Sequence, residues 1–564
     1  MKISSAREAD LLLKDPEFQK GWKKLYDNCS WATPYQSIDF VNTWYEVYRS
    51  RFDPVILTEF SPAGDPIGIL PLAISKDSNK IVIAGAHQAE YHTWLAYPQY
   101  GNSFIEEAIM KLPAIAANRS LVLTYLPPST PIEWITFGHH FRRRCKIDSY
   151  SRPLMVLGDG SRISASLRKS HNRTLKNKLS RLGEVHFEHV RDIGKLTSML
   201  NDFVSYKDFR NGAIANAFPF QMDSLKEPFH LALMKNQNLS IATVLKAGDI
   251  NISITLGFYG KMNTIHHFFQ SFNPFHAKLS PMSLHFLMLG MYLVKQGFSI
   301  IDLTPVSGGW KNRFATEHDE VKVLTIFPNR SGLVLLKTKR KFRSIAKRSL
   351  QLLRINLQSL NALFQKLRYK KMTVLLLDLF KSLWQKSELR VYLIKNEQVP
   401  KLDNPLPMSR DRIRELLLHR PTGNRQPRQT FMAQAKTRLE LSNHFYTYTE
   451  NNRLLFCGWL MKQPEKDFIK EFGQEFQFNS GSVCLFGFYL HPQSGGHDLI
   501  RSSLLQMLLD AVSMEKANQI YIVLSPEEKP LMQIAEKIGF VYDRTLIKKL
   551  SWGKINHWSI KEEL

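Results

Sequence analysis

Half of the chain's excess positive charge sits in about a tenth of its length. Residues 331–390 carry 15 Lys/Arg against 2 Asp/Glu, a net of +13 (15 − 2). The whole 564-residue chain, with 76 Lys+Arg and 50 Asp+Glu, carries +26. A block of like charge does not bury itself in one continuous core with its flanks. It therefore divides the chain into a long N-terminal part and a shorter C-terminal part. Leu350, Leu353, Leu357, Leu360 and Leu363 recur at helical spacing within the block, so 336–390 is expected to be a basic helical linker. At roughly 100–200 residues per domain, the chain as a whole holds about three to five domains. Its 44% hydrophobic content excludes wholesale disorder.

On either side of the block, short strand patterns alternate with amphipathic helices. Pro54–Phe60 and Pro66–Ile74 read as a hairpin across the turn Ser61–Asp65, and Lys80–Ala84 and Leu121–Leu126 as further strands. Ser166–Leu182 reads as one basic helix with Leu167, Leu175, Leu179 and Leu182 as its apolar stripe. Leu239–Leu245 and Ile250–Tyr259 form a second hairpin pattern. Ser280–Gln296 is a helix stopped by Gly297, and Phe298–Leu303 a strand after it. The C-terminal part shows strands at Arg390–Ile394, Phe445–Thr449, Arg453–Met461, Ser482–Leu490 and Gln519–Leu524. Helices are expected at His497–Ser513 and Lys529–Ile538, and a loop at Leu418–Gln429. The expected domains are 1–150, 151–335, the linker 336–390, and 391–564.

The longest apolar runs, Leu284–Val294 and Thr373–Leu377, fall short of the ~20 residues that span a bilayer. With no apolar stretch in MKISSAREAD, a cytoplasmic protein is expected. Cys29, Cys145, Cys457 and Cys484 lie far apart, so neither a disulfide scaffold nor a structural zinc site is expected, and Cys484 reads as core. No P-loop or dinucleotide-binding glycine pattern occurs. The basic balance favours polyanionic partners such as coenzyme A, anionic membrane or nucleic acid, although no nucleic-acid motif is present.

Five stretches, in order, resemble the CelD-like acyltransferases, relatives of the FemAB peptidyltransferases: residues 33–48, 54–72, 166–190, the Ser280-Pro281 turn, and 301–315. Met282 stands where that family has Gly, and Trp310 precedes Lys311 where it has Tyr. Residues 485–510 and 535–540 resemble a single GNAT (acyl-CoA N-acyltransferase) domain. There Gly495 replaces the usual Arg of the pyrophosphate loop, Asp498 the usual Gly, and Ala535 the usual Tyr. The resemblance implies an α/β fold: tandem GNAT-like mixed sheets flanked by helices, the basic helical insert, and a third GNAT-like domain.

Acyl transfer needs a base, oxyanion donors and an acid for the departing thiolate. Asp302, at a strand end, is a candidate base by resemblance. His266 and His267 are adjacent on one strand and face opposite sides, so at most one can face a site. Ser280 is either a fourth catalytic candidate or a plain N-cap. Gly308, Lys311 and Arg313 after Asp302, and Ser494, Gly495, Gly496 and His497 in the C-terminal loop, are candidate cofactor-binding residues. Arg168, Lys169, Arg173 and Lys176 either grip an anion or form a solvated helix face. The donor implied is acyl-CoA (acetyl-CoA or longer), with no metal. The acceptor is an anionic saccharide or lipid-linked precursor of the bacterial envelope or exopolysaccharide, met at the inner membrane face, with 336–390 touching anionic lipid. Two alternatives stand: an aminoacyl-tRNA-dependent transferase, and a catalytically silent membrane adaptor.

Overall fold

The computed structural model describes residues 1–115, 119–137, 141, 143–305, 309–332, 384–400, 406–421, 426–462, 478–493, 496–551 and 554–561. The helical reading of the basic block falls outside these, apart from its end, which is a strand beginning at Trp384. The chain forms two compact units: Met1–Val204 with Pro219–Ala346, and Ser205–Phe218 with Lys347–Leu564.

Unit 1 begins with a sheet in the order β1-β2-β3-β4, built from Lys2–Ser5, Phe52–Phe60, Pro66–Ser75 and Ile81–Ile83, with the short β5 (Leu95–Ala96) on β3. The β2–β3 hairpin forms where alternation places it, closed by Ser61 N–H to Asp65 O and by Gly64 at φ +89. Against this sheet pack α1 (Arg7–Lys14), α2 (Pro16–Asn28), α3 (Ile38–Val47) and α4 (Gly101–Ile115). Trp22, Trp44 and Trp94 are fully buried there. Gly68 lets Phe104 of α4 lie on the sheet, since a Cβ would stand 2.2 Å from its ring.

The second sheet of unit 1 has the order β6-β13-β7-β12-β11-β10-β9-β8. Its strands are β6 (Leu121–Leu126), β7 (Cys145–Val156), β8 (Val185–His189), β9 (Ser240–Ala247), β10 (Ile250–Tyr259), β11 (Thr264–Phe272), β12 (Ile300–Asp302) and β13 (Glu317–Ile326). The expected border at 150/151 thus falls inside β7. β11 and β12 are parallel, which requires a crossover element between them.

The basic segment expected as one helix is two: α5 (Ser161–Arg168) and α6 (Ser170–Leu179), broken at the extended Lys169 (ψ 141°). Asn172 caps the break, its side-chain amide donating to Ser166 O at 2.7 Å. The break lets Ile163 and Leu179 bury in separate core clusters, and Leu182 ends outside the helix, 39% exposed. α7 (Ile193–Ala215) and α8 (Lys226–Lys235) follow; α7 belongs to unit 1 as far as Val204. The crossover between β11 and β12 is α9 (Pro281–Lys295). It is stopped by Gly297 at φ +81, with Phe298 N–H returning to Leu293 O.

The sheet of unit 2 has the order β15-β16-β17-β18-β19-β14-β20-β21. These are β14 (Trp384–Lys395), β15 (Ser409–Arg410), β16 (His444–Glu450), β17 (Arg453–Lys462), β18 (Ser482–Leu490), β19 (Gln519–Leu524), β20 (Val541–Ser551) and β21 (Lys554–Lys561). α10 (Arg428–Glu440), α11 (Gly496–Ser513) and α12 (Lys529–Ile538) complete it.

This sheet repeats the second sheet of unit 1. In each, three antiparallel strands lead to a parallel pair joined by a crossover helix. A strand from earlier in the chain (β7 or β14) then inserts between the second member of the pair and the next strand. The fold is α/β, with mixed sheets flanked by helices.

Candidate active site

β11 and β12 stay paired only from Thr264–His266 to Ile300–Asp302; β11 then runs on to Phe272. Asp302 therefore ends its strand where the two part, beside its register partner His266. It is fully buried. Its Oδ2 accepts from Tyr91 Oη at 2.6 Å, stands 3.1 Å from His266 Nδ1 and 3.5 Å from an Arg152 nitrogen, and its Oδ1 accepts from Thr304 N at 2.8 Å. Burial alone would push this carboxyl up. His266, Arg152 and Tyr91 outweigh burial and hold it below the usual carboxylate range.

Arg152 comes from β7 and grips Asp319 of β13, its register partner, with Nε to Oδ1 at 2.7 Å. Tyr35 adds a ring edge-on to His266 and tilted against Tyr91, and burial raises the hydroxyls of both tyrosines.

The turn after Asp302 is strained and strongly held. Thr304 is β-branched yet has φ +66. Lys311 Nζ donates to Thr304 O, Thr304 Oγ1 and Pro305 O at 2.9, 2.9 and 3.1 Å. Burial lowers the Lys311 ammonium. Lys311 thus clamps the chain. Arg313 is exposed and lines a cavity of about 260 Å³ with Arg162 and Lys169, over Ile163, Leu287 and Phe314.

His267 faces the other side from His266, against Phe286 and Trp310. Ser280 holds the N-cap position of α9 at φ +44, and its side chain makes no capping hydrogen bond. Gly308, Ser494 and Gly495 lie outside the described residues. Gly496 opens α11 at φ +79 and His497 is exposed, both in unit 2. The structure thus gathers Asp302, His266 and Lys311 in one place, sets His267 and Arg313 on neighbouring faces, and leaves Gly496 and His497 in another unit.

The residues that sequence reasoning passed over lie in AGAHQAEYHTW, residues 84–94. This segment joins β4 to β5. Tyr91 turns inward to Asp302, while His87, Gln88, Glu90 and His92 line a cavity of about 640 Å³ between β4 and β6. The opposite wall carries Arg119, Val122, Thr124 and Tyr125, and Lys80 stands at the end of β4. No ladder joins β4 to β6 among the described residues, so the two sheets part here. Gly85, His87 and Tyr125 all have positive φ (+90, +64, +52), and strained backbone tends to gather at functional sites. Burial lowers the His92 imidazole to about 4, so it is neutral. The available signal was five titratable or aromatic side chains packed among small residues, just past a strand end.

Among the described residues, no group of three or more His, Cys, Asp or Glu is placed to hold a metal, and no helix is long and apolar enough to cross a membrane. No known family description matches the sequence, and no curated protein matches it. Solved structures do. FemX is 8% identical with a TM-score of 0.41, over 56% of this chain and 98% of FemX. L-PGS from Bacillus licheniformis is 11% identical with a TM-score of 0.37, over 58% of this chain and 96% of its own. A tandem GNAT protein from the clavulanic acid biosynthesis pathway is 11% identical with a TM-score of 0.33, over 58% and 98%. The chain is similar to these proteins over somewhat more than half its length.

Proposed function

We propose that the chain is an acyl-CoA-dependent N- or O-acyltransferase acting on an anionic saccharide or lipid-linked precursor of the bacterial envelope or exopolysaccharide, in the cytoplasm at the inner membrane face. The observation that carries this reading is the 640 Å³ cavity where β4 and β6 part, a size suited to a small-molecule site. Lys80 and Arg119 are exposed at it and suit the phosphates of coenzyme A; Ile81, Ile83 and Val122 suit the pantetheine arm. Glu90 is the proton acceptor. The acceptor's nitrogen or oxygen attacks the thioester carbonyl, a C–N or C–O bond forms, and the C–S bond breaks. Glu90 takes the acceptor's proton, and the thiolate takes one from water. Asp302 acts through Tyr91 as a positioning residue, fixing the segment that presents Glu90.

Calorimetric titration of acetyl-CoA and a long-chain acyl-CoA into the intact chain tests the reading. Saturable binding is expected, weakened at least ~10-fold in Lys80→Ala/Arg119→Ala. Glu90→Gln should bind as the parent does and lose about 10²-fold or more in thiol release. A parent chain that binds neither thioester refutes the reading and moves aminoacyl-tRNA forward as donor.

A further inference from the structure

Unit 1 carries a stretch of surface charge of a single sign. Residues 161–182, which form α5, α6 and the turn after them, hold seven Lys/Arg, from Arg162 to Arg181, and no Asp or Glu. All seven are exposed, and among the described residues none is in an ion pair. Surface cations elsewhere in unit 1 do find partners: Lys24 stands 3.4 Å from Asp65, Arg51 2.8 Å from Asp223 and Lys76 3.3 Å from Asp53. Arg173 and Lys176 lie about one turn apart on α6, a like-charge pair that weakens its own helix. A face kept only for solubility is served as well by mixed signs, which avoid that cost.

The two helices are seated so that these cations stay outside. Ile163 of α5 and Leu175 and Leu179 of α6 are buried, and the break at Lys169 lets each helix bury its own apolar side. Arg162 and Lys169 stand with the exposed Arg313 around the cavity of about 260 Å³, over Ile163, Leu287 and Phe314. Leu182, at the end of the same stretch, is exposed. Cations at a rim with apolar side chains beneath them match an anionic lipid, whose phosphate meets the rim while its glycerol and first chain carbons meet the floor. A nucleic acid calls for rings on which bases stack, and the one ring in residues 161–182 is that of His171.

We propose that the α5–α6 face docks the chain on an anionic phospholipid surface, with one lipid phosphate seated among Arg162, Lys169 and Arg313. The inference deepens the membrane-face placement above and is independent of the transfer chemistry: a lipid held here is a support and not the acceptor. Each basic residue near such a surface strengthens binding roughly fivefold, and salt screens the attraction.

The test sediments the intact chain with vesicles of phosphatidylcholine alone, or of an equal mixture with phosphatidylglycerol. Binding to the mixed vesicles is expected, weakening as salt rises, with little binding to phosphatidylcholine. Arg168→Gln/Lys169→Gln/Arg173→Gln/Lys176→Gln should weaken it about 10²-fold or more, and Arg162→Gln/Arg313→Gln about 10-fold or more. Lys14→Gln/Lys20→Gln/Lys23→Gln/Lys111→Gln removes charge from other exposed sites and should cost less than ~5-fold. The basic residues 331–390 are common to every chain compared. The substituted side chains are all exposed, and an unchanged urea midpoint checks that the fold is kept. A parent that binds the mixed vesicles no better than phosphatidylcholine overturns the docking, as does a face variant that binds as the control variant does. A face variant that loses bulk transfer RNA while keeping the vesicles overturns it too. None of these outcomes bears on acyl transfer, which is read separately as thiol release.

Discussion

Tyr91→Phe removes one hydroxyl and nothing else from the link between the cavity wall and Asp302. That hydroxyl donates to a fully buried carboxylate at 2.6 Å. A hydrogen bond to a charged group contributes ~1.5–3 kcal/mol, so the segment carrying Glu90 should open more easily by about 2 kcal/mol, on the order of 30-fold in an opening equilibrium. Amide hydrogen exchange with mass spectrometry, reading peptides over residues 85–96, measures this locally and avoids treating a two-unit chain as one transition. The difference should depend on pH. The Asp302 carboxyl is held below its ordinary range. Its stabilisation is therefore complete above the unfolded value near ~3.9 and is lost as pH falls through the lower folded one. The effect of Tyr91→Phe should shrink over the same window. In an Asp302→Asn background it should fall to about 1 kcal/mol, the size of a neutral hydrogen bond, since the charge that strengthens the bond is gone. An unchanged exchange rate at pH 7, or an equal effect with Asp302 removed, would refute the claim that Tyr91 holds the cavity wall through Asp302.

Two further outcomes follow from buried groups in unit 1. His285 sits between Thr243 and Ser253 (3.1 and 2.9 Å), and burial lowers it to about 3; burial likewise lowers His230 to about 3. The unfolded chain takes up these protons first, so stability should fall as pH drops below ~6.5, by roughly 1.4 kcal/mol per pH unit for each histidine. Urea midpoints of unit 1 between pH 7 and 5 check this, and a slope unchanged by His285→Gln would contradict it. Lys311→Met removes three hydrogen bonds from the turn at Thr304 while leaving that turn's φ at +66. It should cost at least ~2 kcal/mol in local exchange protection over residues 302–305.

Much of the secondary structure is legible locally because each element answers to its own pattern. Leu121–Leu126, Ser482–Leu490, Gln519–Leu524 and Lys529–Ile538 form where period and breakers put them. β7 and β13 give no such signal. β7, CKIDSYSRPLMV, mixes charges through its length, and β13 opens on EHDE, yet both lie inside the sheet. Their charges are matched across the ladder, Arg152 opposite Asp319, so the pairing that makes them strands exists only once both are placed.

The candidate site divides in the same way. The sequence by itself determined an α/β chain of hairpins and crossover helices, with Asp302 at a strand end and His266 and His267 on opposite faces. Only the tertiary structure decided that Asp302 is sealed from solvent and bound to Tyr91, 211 residues away, and that Glu90 stands at an open cavity. The physical reason is that a carboxylate's role follows from its solvation and its partners. Burial pushes the Asp302 carboxyl up, a histidine, a guanidinium and a tyrosine hydroxyl outweigh it, and none of these neighbours is written in the residues beside it.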